Sequence, residues 1–123
     1  MRNISFMLTT DQVRARTKTV TRRLNWLFVK PGDLLCAVEK SQGLGKGGKI
    51  KRICTIRVVS VRRENLYRLM LEAAYGPAEC VAEGFPPPHP KSDPHEFVRF
   101  FCASHKDCTP SSEITRIEFE YVD

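Results

Sequence analysis

The sequence predicts an α+β domain whose sheet is mostly antiparallel and barrel-like, flanked by short helices. Two observations carry this. The β-branched run from Ile53 to Val61 has no helical period, and Ile117, Phe119 and Tyr121 alternate with Glu118 and Glu120 as in a strand with one wet side. The helical patterns are short and lie between strands, with no internal repeat and no linker. A mostly antiparallel, barrel-like sheet is the natural solution for such an order.

Ile4 to Met7 reads as the first strand. Thr9 and Gln12 form a capping-box pair, which predicts a helix from Thr10 to about Arg16. Thr19 to Leu24 is a second strand, and Lys30-Pro31-Gly32-Asp33 is a turn leading into a strand from Leu34 to Glu39. Gly43 to Lys49 is a basic glycine loop, and the longest strand follows it. Leu66, Leu69, Met70 and Ala73 predict a helix over 64–75, stopped by Gly76-Pro77, with a further turn or two from Ala78 to Glu83. The prolines make Phe85 to Pro90 extended. Asp93-Pro94-His95-Glu96 starts a helix that places Phe97, Phe100 and Phe101 on one core-facing side.

A chain of 123 residues fits one domain, 1–123, and can bury a core without staples. No stretch approaches the ~20 apolar residues of a membrane span, and the amino terminus turns polar too quickly for a signal peptide. Five cysteines at irregular spacing make a poor disulfide framework, so a cytoplasmic protein with free thiols is expected. Charge is asymmetric. Residues 1–63 hold fifteen Lys and Arg against three acids, whereas residues 64–123 hold five against eleven. One strongly positive surface, attractive to phosphates, is the expectation; a solvated basic face without a partner is the plainer reading.

Gly43, Gly45 and Gly48 satisfy G-x-G-x-x-G, but that signature needs a following helix to hold phosphate, and a strand follows here. Lys46, Lys49 and Lys51 are therefore read as backbone contacts to a nucleic acid. Thr17-Lys18-Thr19-Val20-Thr21-Arg22-Arg23 interleaves hydroxyls with cations, a pattern suited to an anion or to an exposed edge strand guarded by charge. Alternation puts Thr19, Thr21 and Arg23 on one face, and Lys18 at the junction is free to reach Thr21. Trp26 and Tyr75 are candidates to stack on a base, Trp26 the better one, or to plug the barrel. Cys102, His105 and Cys108, with Cys80 as a fourth ligand, are a candidate zinc set. Three ligands at one helix end fall short of a paired C-x-x-C signature. Cys102 packed in the core with His105 and Cys108 at the surface is the plainer alternative, and no metal or cofactor is expected.

Lys18-Thr19-Val20-Thr21-x-Arg23, Trp26, Lys30 to Leu35, the strand Ile56 to Val61, Glu83-Gly84-Phe85 with the phenylalanine-rich helix after it, and Ile117-Glu118-Phe119 together resemble the ASCH family. The resemblance spans nearly the whole chain and is close to small single-domain members carried by phages and prophages. It implies a PUA-like β-barrel with a cleft for RNA. One branch of that family removes the acetyl group from N4-acetylcytidine with a Lys and a Thr of a Lys-Thr-x-Thr motif and a later Glu. The likeness carries those roles to Lys18 as base, Thr21 as nucleophile and Glu83 as proton donor, with Glu79 as a substitute for Glu83. Arg16, Thr19, Arg22, Arg23 and Trp26, with the loop lysines, would bind RNA or a modified nucleoside. Two alternatives stand beside this amidohydrolase reading. One is a non-catalytic RNA-binding adaptor whose acidic half meets a protein partner, and the other is a ribonuclease.

Overall fold

The computed structural model describes residues 1–41 and 43–123. Five strands, β1 (Arg2–Ser5), β2 (Val20–Arg23), β3 (Leu34–Val38), β4 (Arg52–Asn65) and β5 (Glu113–Tyr121), form one sheet in the order β1-β3-β4-β5-β2. Among the described residues four short helices accompany it: α1 (Thr10–Arg14), α2 (Arg68–Leu71), α3 (Tyr75–Ala82) and α4 (Pro94–Ala103), with a 3₁₀ turn at Pro90–Ser92.

The α+β expectation holds, but the barrel is open. Three of the four strand pairings are antiparallel, and β1 runs parallel to β3. A parallel neighbour needs a crossover, which here passes through α1 and β2. The sheet curls into a half-barrel with β1 and β2 as its two free edges. Arg23 crosses part of that gap, donating from Nη2 to the Ser5 carbonyl at 2.8 Å.

Two apolar clusters hold the sheet. Ile4, Phe6, Val13, Ala37, Ile56, Val58, Ile117 and Phe119 fill the first. Leu66, Leu69, Cys80, Phe85, Phe97, Phe101 and Ile114 form the second, where α2, α3 and α4 cover the far end of β4 and β5. The helices explain why β5 is not simply alternating: Ile114, Thr115, Arg116 and Ile117 are all buried. Alternation with one wet side survives only from Glu118 onward.

The expected helix over 64–75 is not formed. Glu64 and Asn65 extend β4, paired with Ile114 and Glu113. The Asn65 side chain then accepts from Tyr67 N at 2.9 Å, a local turn that competes with a helix. Leu66 and Leu69 are buried as their spacing demands, but only one helical turn, α2, lies among these residues. Gly76-Pro77 opens α3 instead of ending a helix. Proline is tolerated in a first turn, where amides have no helical partner. Gly76 is also required there, because a Cβ would stand 2.0 Å from the Leu69 carbonyl oxygen.

Other local expectations were corrected or met. Thr9 makes no side-chain cap; Thr10 Oγ1 donates to Phe6 O at 2.8 Å instead. Phe85 to Pro90 turns rather than extends, with His89 N donating to Pro86 O at 3.1 Å and the Pro87–Pro88 bond cis. Asp93 caps α4 as expected, accepting from His95 N at 2.9 Å.

The charge asymmetry has a structural cause. Basic β4 lies beside acidic β5, so Arg57 meets Glu120 at 2.9 Å and Arg63 meets Glu113 at 3.0 Å. Part of the positive half is thus paired with acids across the ladder. Among the described residues, Lys46, Lys49 and Lys51 have no acidic partner within 4.0 Å.

Candidate functional site

A cleft of about 370 Å³ opens at the seam between the ends of β1 and β2. Its polar floor comes from Lys18, Thr21, Arg22, Arg23 and Glu83, and phenylalanines of three separate segments line the walls. The site exists because two chain ends converge there. Thr19 N donates to Ala82 O at 2.8 Å, which ties the start of β2 to the end of α3.

Glu83 reaches the cleft through the way α3 ends. Phe85 N donates to Cys80 O at 3.0 Å and Gly84 N to Val81 O at 2.9 Å, the paired bonds of a Schellman stop with Gly84 in the left-handed region at φ +105°. Gly84 also has no room for a side chain: a Cβ would lie 2.7 Å from Gln12 Cγ and 2.9 Å from Gln12 Cβ. The Glu83-Gly84-Phe85 triplet is therefore a helix terminator that turns a carboxylate and a phenyl ring toward the cleft.

Lys18 Nζ donates to Glu83 Oε1 at 2.6 Å and to the Glu83 carbonyl at 2.9 Å. Both residues are 3% exposed, so this pair lies almost wholly out of water. Burial pushes the Lys18 ammonium below its ordinary value; Glu83 opposes this, and Arg23 and Arg22 add to it. Lys18 is thus bonded to Glu83, not to the Thr21 hydroxyl. Thr21 Oγ1 accepts from Arg23 Nε at 3.2 Å, which leaves the threonine proton free to be given away. Burial holds the Arg23 guanidinium down at about 10, even with Glu83 pulling it up.

A second layer of charge supports the floor. Arg22 donates to Glu83 Oε2 at 3.0 Å through Nη1, and through Nη2 to Glu79 at 2.5 Å and Glu64 at 3.3 Å. Glu79 also receives Arg116 in a bidentate fork, at 2.5 and 3.1 Å. Burial works against both charges. Even so, Glu83, Glu79 and Glu64 hold the Arg22 guanidinium above its ordinary value, and Arg116 and Arg22 hold Glu79 at about 2. Arg22 Nε is buried without a partner among the described residues. Of the two candidate glutamates, Glu83 lines the cleft and Glu79 stands behind it.

The other candidates scatter. Arg22 and Arg23 belong to the floor. Arg16 is exposed, with its guanidinium on the Asp123 carbonyl and over the Tyr121 ring. Thr19 contributes backbone only: it donates to Ala82 O, and its carbonyl accepts from Phe119 N at 2.9 Å. Trp26 packs on the first apolar cluster beside Phe28, under Arg23, and is not a cleft wall. Tyr75 is held between Glu64, Arg22 and Arg62 in the charged layer. Lys46, Lys49 and Lys51 are exposed on the loop before β4. The zinc set is not assembled: among the described residues no group of three or more His, Cys, Asp or Glu could hold a metal ion.

Sequence reasoning missed the walls. Phe6, Phe85 and Phe100, with His105 stacked on Phe101 at 4.1 Å between ring centroids, surround the polar floor. Phe97, Phe100 and Phe101 share a helix side as expected, but that side spans both core and cleft, and half-buried Phe100 lies where the two meet.

No family model matches the sequence, and no curated protein does. The fold has solved counterparts. A protein of Enterococcus faecalis V583 of the DUF984 family aligns over 94% of this chain and 68% of its own, with a TM-score of 0.59 and 18% identity. An ASCH domain from Lactobacillus crispatus JV V101 aligns over 98% of this chain and 79% of its own, with a TM-score of 0.58 and 12% identity. With its open half-barrel and flanking helices, the chain shares the fold of this ASCH domain.

Proposed function

We propose that the cleft binds a nucleoside or an unpaired RNA base and hydrolyses the amide of an acylated cytidine. The observation that carries this reading is the buried 2.6 Å bond between Lys18 and Glu83 beside the Thr21 hydroxyl. The volume suits a small ligand, and the phenylalanine walls offer flat apolar surface to a base.

A lysine and a carboxylate bonded in low dielectric can exchange their proton. In the neutral arrangement, Lys18 is an amine base and Glu83 a carboxylic acid. Lys18 would then take the Thr21 proton as Oγ1 attacks the acyl carbonyl, and Glu83 would protonate the departing exocyclic nitrogen. The products of this half-reaction are cytidine and an acyl-threonine ester. Water, deprotonated by the same pair, would release the carboxylic acid and restore the hydroxyl. Arg23, already donating to Thr21 Oγ1, would stand next to the negative charge that develops.

A ribonuclease is less well supported, because the polar groups lie beneath aromatic walls where a base reaches more readily than a phosphodiester. The test is incubation of the purified chain with N4-acetylcytidine, following cytidine and acetate by chromatography. Turnover that Lys18→Ala and Thr21→Ala both abolish is the expected result. No turnover, with salt-sensitive RNA binding retained, would make the cleft a recognition site and the chain a binder, alone or with a protein partner.

A further inference from the structure

Cys102 and Cys108, two of the sequence's candidate zinc ligands, meet as a pair. Their sulfurs are 3.3 Å apart, the Cys108 thiol donating to Cys102 Sγ. A disulfide would need about 1.3 Å of further approach. Cys102 lies in the last turn of α4 and Cys108 in the loop beyond it, so a bond would close a short ring around Ser104 and His105. Both of those residues line the cleft.

Beyond Ser104, the backbone of the segment between the thiols makes only long hydrogen bonds. His105 N to Cys102 O and Cys108 N to His105 O are each 3.4 Å, and Asp107 sits in the left-handed region at φ +61°. Ser104 is held to α4, its Oγ donating to Phe100 O at 2.8 Å, and beyond it the firm contacts are those of the His105 ring. It stacks on Phe101, and its Nδ1 is 2.8 Å from the Phe101 carbonyl. A carbonyl only accepts, so Nδ1 carries the proton. The ring that forms part of the cleft wall therefore hangs on a loop whose two ends are the thiols.

We propose that Cys102 and Cys108 are a reversible oxidation site, and that closing their disulfide shifts the His105 wall of the cleft. The co-reactant is a low-molecular-weight disulfide. The Cys108 thiolate attacks one of its sulfurs and expels the first thiolate. Cys102, having lost its proton to solvent, then attacks Cys108 Sγ in the mixed disulfide and expels the second. Two protein thiols are oxidised, one external disulfide is reduced to two thiols, and the two protons end on the leaving groups. Burial and the neighbouring thiol push Cys102 up to about 11, which suits it to the second, intramolecular attack rather than the first. This device concerns the wall of the cleft and does not depend on the reaction proposed for its floor.

The test incubates the purified chain with oxidised glutathione and then compares it before and after dithiothreitol. Mass spectrometry after thiol blocking should find a Cys102–Cys108 crosslink, with Cys36, Cys54 and Cys80 still free. Nuclear magnetic resonance of the imidazole should show His105 shifting on oxidation and returning on reduction. Cys102→Ser and Cys108→Ser should each abolish both changes. Glutathione adducts without a crosslink would overturn the proposal. So would a crosslink that leaves the His105 resonances unmoved. Failure of the chain to turn over N4-acetylcytidine would strike the functional reading alone, since neither readout here depends on turnover.

Discussion

Arg22 and Arg116 stand directly opposite each other in the β2–β5 ladder, and the Glu79 carboxylate bonds to both. Two guanidinium groups at facing positions repel unless an anion neutralises them. Here one glutamate of α3 joins the helix to both strands, and Arg22 passes that constraint on to Glu83.

Glu79→Gln should therefore destabilise the fold by about 3 kcal/mol or more at neutral pH, the usual effect of breaking a buried ionic cluster on one side. The pH dependence has a definite sign. Glu79 is held at about 2 in the folded chain against an ordinary value near 4.5, so its stabilisation is present above pH 4.5 and fades toward pH 2. Urea melts of wild type and Glu79→Gln should differ most at pH 7 and converge toward pH 2.

Lys18 and Glu83 should not be equivalent in stability. Lys18→Ala leaves the Glu83 carboxylate bonded to Arg22, whereas Glu83→Ala leaves a buried ammonium without its anion. Breaking a buried pair costs about 3–5 kcal/mol when the remaining charge is uncompensated. Thermal melts should show Glu83→Ala as clearly the weaker protein; equal losses would mean that Arg22 does not hold Glu83.

Gly84→Ala combines a left-handed backbone with a collision against Gln12. The expected loss is about 2 kcal/mol or more. Trimming the obstacle in the double variant Gln12→Ala, Gly84→Ala should recover only part of it, because the backbone penalty remains. Denaturant unfolding of the two variants separates the contributions.

Lys46, Lys49 and Lys51 form the uncommitted positive segment. If they contact an RNA backbone, Lys49→Ala should weaken binding uniformly across sequences and reduce the magnitude of the slope of log K against log salt by about 0.7 for a single strand. Fluorescence anisotropy with two unrelated single-stranded RNAs over a range of KCl concentrations reads both quantities.

The parts legible in the sequence were those fixed by local chemistry. The Asp93-Pro94 helix start, the turn at Gly32 and the long β-branched strand needed no tertiary information. The wrongly assigned helix over 64–75 shows the opposite case: Leu66 and Leu69 have helical spacing, yet pairing of Glu64 and Asn65 with β5 decides the backbone. The family likeness pointed to Lys18, Thr21 and Glu83, which line one cleft, whereas nothing in the sequence pointed to the Glu79–Arg116 fork. Its members are 37 residues apart, and neither sits in a recognisable pattern. Trp26 looked like the stacking residue because it is the lone tryptophan beside a basic motif. Its packing on the first cluster depends on partners distant in sequence, which composition does not reveal.

The gap between β1 and β2 gives the cleft a lateral doorway. A strand pair that never zips leaves entry along the flank of the sheet, and Arg23 latches only one end of it. Access from the flank sets no requirement for a chain terminus. Under the proposed function, an internal nucleotide tipped out of a continuous polymer and a free nucleoside would face the same threshold.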